Sequence, residues 1–264
     1  MPVIRMLLLL LLSLFTACEK IIDVDLRAAP PQLVIEANIT DQSGPYYVKL
    51  SHTVASQDSN NFPPITQALV NISDNVGNED ILEEVSPGLY QTNSIEGIPG
   101  RLYRLKVIAE GKEYSASSTM PAPVVLNDIT IEEGGFIGET ENDVVVWFQD
   151  AEGMKNHYRF VAWKNDLPFN RPYVFEDKGY DGKYLRYAFE PDEDNETLKI
   201  ASGDQLTVEM HGVDPDVYLY FLTLSQYTGE GPPTAPGNPI SNISGGALGY
   251  FSAHTASRKS VIVQ

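Results

Sequence analysis

The sequence predicts a mainly β chain: an Ig-like or prealbumin-like β-sandwich over residues 32–120, then a second β-rich domain over 121–264 containing one short buried helix. Three observations carry this. From Gln32 onward, short β-prone segments recur with turn chemistry between them, roughly seven in about ninety residues, the spacing of a sandwich. Met120-Pro121-Ala122-Pro123 then interrupts the pattern, because two prolines in three residues stop a strand and stiffen a linker. Beyond it, one apolar run between Pro215 and Gly229 breaks the β pattern.

In the first domain, Leu33–Ile39 alternates in part, and Tyr46–Leu50 follows the turn Ser43-Gly44-Pro45. Ala68, Val70 and Ile72 share a face and stop at Asp74-Asn75-Val76-Gly77. Ile81–Val85 and Gly88–Gln91 flank Ser86-Pro87 in a hairpin-like connection. Leu102–Ala109, the turn Glu110-Gly111-Lys112 and Tyr114–Ser118 make a second hairpin, with Tyr103, Leu105 and Val107 on one face.

In the second domain, Asp143–Gln149 and His157–Trp163 read as strands around the turn Asp150–Gly153, and Leu206–His211 and Lys259–Val263 read as two more. Near 215–228, Asp214 can cap a helix, Pro215 fits its first turn and Gly229 its end. Val217, Tyr218, Leu219, Tyr220, Phe221, Leu222, Leu224 and Tyr227 are apolar almost all round, which implies burial; a buried strand over Val217–Leu224 is the rival. The Pro/Gly-rich loop 231–249 follows, with four prolines in the eight residues 232–239 and glycines at 245, 246 and 249. It either plugs a sheet edge or offers a surface to a partner.

The N-terminus locates the chain. Arg5 precedes the apolar run Leu7–Leu12, and Thr16-Ala17 leads into Cys18, the only cysteine. This is a secretory signal over 1–17, and the placement of Cys18 is that of a bacterial lipoprotein, in which the cysteine becomes the acylated N-terminus. Residues 18–31 then form a tether ending in Pro30-Pro31, in which Ile21, Ile22, Val24 and Leu26 either pack onto the first domain or serve as plain spacer. With its thiol acylated, Cys18 leaves no disulfide or cysteine-based zinc site.

A net charge of −18 repels nucleic acid and excludes a polybasic membrane anchor, so attachment rests on acyl chains. His52, His157, His211 and His254 are scattered, and no metal or cofactor is expected. Asp192–Glu196 lacks the glycine and terminal glutamate of an EF-hand loop and reads as solvated. No nucleophile elbow, phosphate loop or metalloprotease helix occurs, and among so many acids no carboxylate pair stands out. Four Asn-x-Ser/Thr acceptor patterns read as chance. Residues 124–264 hold both Trp, nine of the fourteen Tyr and eight of the ten Phe, which reads first as core and second as a stacking surface.

The chain resembles the domain of unknown function 4249 family of Bacteroidota lipoproteins. The resemblance rests on Cys18-Glu19-Lys20 with Ile22–Leu26, Leu33–Asp41, Gly88-Leu89-Tyr90, Gly100–Leu105 and, most specifically, Asn238–Ala253. It implies an outer-membrane lipoprotein, at the periplasmic face or cell surface, of a kind often encoded beside TonB-dependent transporters; it supplies no catalytic residues. The expectation is therefore a non-catalytic accessory or ligand-capture component of such a transporter, taking a small-molecule, glycan or peptide ligand. A surface adhesin or scaffold is the alternative, and a carboxylate-based hydrolase the second. Asn238, Asn242, Tyr250, Tyr180 and Tyr184 are the candidate partner or ligand surface.

Overall fold

The last strand of the chain is what joins its two halves. The computed structural model describes residues 30–54, 61–134, 141–191, 196–228 and 237–264. The signal segment, Cys18, nearly all of the tether, the acidic residues 192–195 and the prolines of 231–236 lie outside the described residues. Residues Pro31–Gln264 cluster as one compact unit.

The first half contributes β1 (Leu33–Thr40), β2 (Tyr47–His52), β3 (Leu69–Asp74), β4 (Glu79–Ile81), β5 (Glu83–Ser86), β6 (Leu89–Gln91), β7 (Leu102–Ala109) and β8 (Lys112–Thr119). The second contributes β9 (Leu126–Gly134), β10 (Glu141–Gln149), β11 (His157–Lys164), β12 (Leu167–Pro168), β13 (Tyr173–Glu176), β14 (Tyr184–Phe189) and β15 (Gln205–Val213). Helix α1 (Pro215–Thr228) and the long β16 (Leu248–Ile262) close the chain.

One large sheet runs β12-β11-β15-β16-β1-β2-β6-β5, with β13 also on β11. Two smaller sheets, β4-β3-β7-β8 and β14-β10-β9, complete the set. Along its first half β16 pairs in parallel with β1, from Val34↔Leu248 to Thr40↔His254. Along its second half it pairs antiparallel with β15, from Gly212↔Thr255 to Gln205↔Ile262. Gly249 permits the close approach to β1: its φ is +93°, and a Cβ there would lie 2.0 Å from the Ile35 carbonyl oxygen.

Alternation places the cores. In β1, Leu33, Ile35, Ala37 and Ile39 are buried; in β7, Tyr103, Leu105, Val107 and Ala109 are, as period two requires. With Val70, Ile72, Phe251 and Ala253 they form the first core. Val144, Val146, Phe148, Phe160, Val208 and Met210 belong to the second. The break at Met120–Pro123 divides the two cores in sequence, with one return: Ile243, Ala247, Phe251 and Ala253 come back to the first.

Three expectations are revised. Ile81–Val85 is not one strand but two, because the chain leaves the small sheet at Leu82, whose N–H reaches the Val70 carbonyl at 2.9 Å, and joins the large one. The final strand begins at Leu248, well before Lys259; Gly249-Tyr250-Phe251-Ser252-Ala253-His254 shows no polar/apolar alternation because both its faces are covered. Helix α1 is covered on one side only: Val217 and Phe221 are buried, while Leu219 and Tyr227 are exposed.

Candidate binding groove and the polar face under the helix

A groove of about 470 Å³ opens where the Thr119–Pro123 linker, the Met154–His157 loop and the start of α1 meet. Its lining is mostly apolar, with Met120, Pro121, Pro123, the half-exposed Met154 and Val213, and it carries two buried titratable groups, Asp214 and His157. Such a surface suits binding of an apolar or amphipathic group.

Asp214 ends β15 and caps α1, its Oδ1 accepting the Val217 N–H at 2.9 Å. Its Oδ2 accepts the Ser118 hydroxyl at 2.5 Å and the Thr119 N–H at 3.1 Å, which fixes the linker to the helix. Burial raises its pKa, and these three donors oppose the rise. The His157 ring lies 4.8 Å from that of Tyr218. Burial lowers its pKa against the pull of Glu176, whose carboxylate is 3.9 Å away.

The large sheet's face under α1 is mixed: Val213, Val217 and Phe221 form a small apolar cluster there, with Tyr250 and Val174 against it, beside a set of polar side chains. On it the His211 and His254 rings stack with centroids 4.1 Å apart. His211 Nε2 meets Glu209 Oε1 at 2.7 Å, His254 Nδ1 meets Ser252 Oγ at 3.0 Å, and the Arg159 guanidinium sits 3.8 Å above the Phe221 ring. Burial, with Arg159 adding to it, holds both imidazoles well below their usual pKa, so they are neutral at neutral pH. Among the described residues the cluster of three or more groups placed to hold a metal ion is not here but at Asp150, Asp177 and Asp181. The four scattered histidines of the sequence thus include one pair that the fold brings together.

Oxygen ligands converge elsewhere. Asp150, Asp177 and Asp181 bring carboxylate oxygens within 4.8 Å of one another, an all-oxygen set of the kind a hard divalent cation takes. Each already accepts a hydrogen bond: Asp150 from the Tyr158 hydroxyl (2.5 Å) and Gly182 N–H, Asp177 from Asn156 N–H, Asp181 from Gly153 N–H. These bonds knit the 150–156 and 177–182 loops together. Sequence reading passed over this trio because Asp150 lies in a different turn from the other two; Asp177-Lys178-Gly179-Tyr180-Asp181-Gly182 was the available signal.

A family model described as "Domain of unknown function (DUF4249)" matches residues 19–260. The chain belongs to this family. No curated protein matches it in sequence. Among solved structures, a two-domain fibronectin type III segment of chicken tenascin is similar over 70% of this chain and 91% of its own, at 14% identity and a TM-score of 0.22.

The stretch by which the chain most resembles DUF4249 lies along an open strand edge. Before β15 takes over at Thr255, the first half of β16 has one unpaired side. There Asn242 donates to the Phe251 carbonyl (2.8 Å) and accepts its N–H (3.0 Å), the Ser241 hydroxyl donates to the Gly249 carbonyl, and Ser118 Oγ accepts the Ala253 N–H. Asn242 therefore spends its amide on the fold. Tyr250 packs on Tyr220 and Phe221, and its hydroxyl accepts from Asn38 at 3.4 Å. Asn238 is exposed. Tyr180 and Tyr184 are half-exposed on the second half of the molecule, Tyr184 beside Trp147. Among the described residues, no contact joins Tyr180 or Tyr184 to the other three.

Proposed function

We propose that the chain is a non-catalytic lipoprotein, held at the outer membrane by acyl groups on Cys18, that serves a TonB-dependent transporter as an accessory or ligand-capture component. The signal segment 1–17, followed directly by Cys18, supports the location. The observation that carries the binding reading is that the groove's three titratable groups are committed to structure, Lys155 by its ion pair with Glu176 at 2.6 Å. Asp214 holds three donors and His157 packs against Tyr218, so with Lys155 paired to Glu176 none stands ready as an acid or base. What remains is a mostly apolar concavity with an adaptable methionine at its rim.

The test is a pull-down from gently solubilised outer membranes with a tag after Gln264. Recovery of a stoichiometric barrel transporter, lost when Met154 in the groove is changed to Asp, is the expected outcome. Recovery of the acylated protein alone would overturn the accessory reading in favour of a scaffold.

A further inference from the structure

A different face from the groove carries a second binding feature. In β10, Val144, Val146 and Phe148 point into the second core, so Trp147 and Gln149 point away from it. On that outer face Trp147 is partly buried, next along the strand from the fully buried Val145, in a domain whose other large rings are mostly packed together inside. Its Nε1–H donates to Thr130 Oγ1 at 3.0 Å, which holds the indole in place and leaves the ring face as its remaining means of contact. Tyr184, 56% exposed, lies nearly parallel to it, at 19° and 6.0 Å between centroids. At that separation the rings are offset rather than overlapped and together make a longer aromatic strip.

We infer that Trp147 and Tyr184 form a platform for a neutral glycan, stacking on the C–H face of its sugar rings. The warrant is complementary charge distribution. An aromatic face is the negative pole of its quadrupole, and the axial C–H hydrogens of a pyranose are weakly positive. Hydroxyls around the sugar's edge need polar partners, and the rim offers them. Gln149 donates from its amide nitrogen to the Asp150 and Gly182 carbonyls, and neither its Oε1 nor the Tyr184 hydroxyl has a described partner in the fold. Two ion pairs flank the platform, Arg186 with Glu132 at 2.5 Å and Lys259 with Asp128 at 3.1 Å, while Asp143 on the same strand keeps a buried carboxylate oxygen with no hydrogen-bond partner. The net charge of −18 opposes acidic polysaccharides. The plain alternative is a cross-strand aromatic pair that only stabilises the sheet. The platform does not depend on the transporter reading, since a scaffold lipoprotein could equally carry it.

The test uses the detergent-solubilised full chain on an array of neutral polysaccharides and oligosaccharides, followed by affinity electrophoresis with each hit and with polygalacturonate as acidic control. Binding to at least one neutral glycan is expected, falling tenfold or more in both Trp147→Ala and Tyr184→Ala, with Trp147→Phe and Tyr184→Phe recovering most of it. Trp163→Phe leaves Trp147 as the sole tryptophan, and its emission should shift as the glycan is added. Circular dichroism of every variant guards against misfolding. No neutral hit, a preference for polygalacturonate, or alanine variants binding within twofold of wild type would overturn the proposal. So would variants that lose thermal stability but not binding, which would leave the pair a structural one.

Discussion

The first sandwich fills its interior with aliphatic side chains and uses its tyrosines as pins, whereas the second fills its interior with rings. Tyr46, Tyr90 and Tyr103 are buried, and each sends its hydroxyl to a loop carbonyl, of Gln42 (2.7 Å), Ile65 (3.1 Å) and Glu96 (2.7 Å). They tie connections down over a core of Ile35, Ile39, Val48, Leu50, Ile72 and Leu105. In the second, Phe148, Tyr158, Phe160, Phe175, Tyr187 and Phe189 interlock, with centroids from 4.8 to 6.5 Å apart. Aromatic excess in the second half is therefore mainly bulk. Surface chemistry has to be sought among the rings left exposed, Tyr180, Tyr184 and Tyr227, and the partly buried Trp147 beside Tyr184. Despite these different interiors, β16 runs one sheet through both halves.

The largest expected effect attacks that shared strand. Gly249→Ala sets a Cβ against the Ile35 carbonyl in a left-handed backbone, and should cost on the order of 4 kcal/mol or more. Urea melts should show both halves failing together; a loss near 1 kcal/mol would mean β16 is not the spine. Next, Phe160→Ala and Leu105→Ala empty one core each, at about 3–5 and 2–5 kcal/mol. Each should move a single common transition, and a second, separate transition in either variant would break the coupling.

Acid should act on the polar side chains under α1. His211 and His254 are held neutral in the fold, so below their ordinary pKa of 6.5 the unfolded chain binds two protons that the folded chain does not. Stability then falls as pH drops below 6.5, by up to about 2.7 kcal/mol per pH unit. His254→Gln should roughly halve that slope, read from urea midpoints at a series of pH values. Asn242→Ala removes both side-chain bonds to Phe251 and should cost about 1–3 kcal/mol, whereas a surface role alone would leave stability unchanged. Smallest is Tyr184→Ala, at about 0.5 kcal/mol or less, as befits a half-exposed ring.

How far all this could be read in advance follows from what each element packs against. Strands with one covered face, such as β1 and β7, announce themselves by alternation, and α1 announces itself by Asp214 and Pro215. Strands covered on both faces do not: β15 buries Leu206, Val208 and Met210 on one side and His211 and Val213 on the other. β16 shows no period at all until its last residues. Asn242 was legible as distinctive, but its employer, the unpaired edge at Phe251, is a long-range feature that no local spacing encodes. The groove, the histidine stack and the Asp150–Asp177–Asp181 cluster join residues far apart in sequence for the same reason. Asp214 could be named as a cap, yet its bond to Ser118 spans nearly a hundred positions.

The shared strand is tested most directly by taking it away. Residues 31–121 contain β1 to β8 and the whole first sandwich as the sequence would divide it, but lack Phe251 and Ala253 from the core and the parallel partner of β1. An amide proton–nitrogen correlation spectrum of this fragment should be collapsed, and should disperse when a peptide of residues 241–264 is added. A well-dispersed spectrum from the fragment alone would contradict the claim that β16 completes the first sandwich.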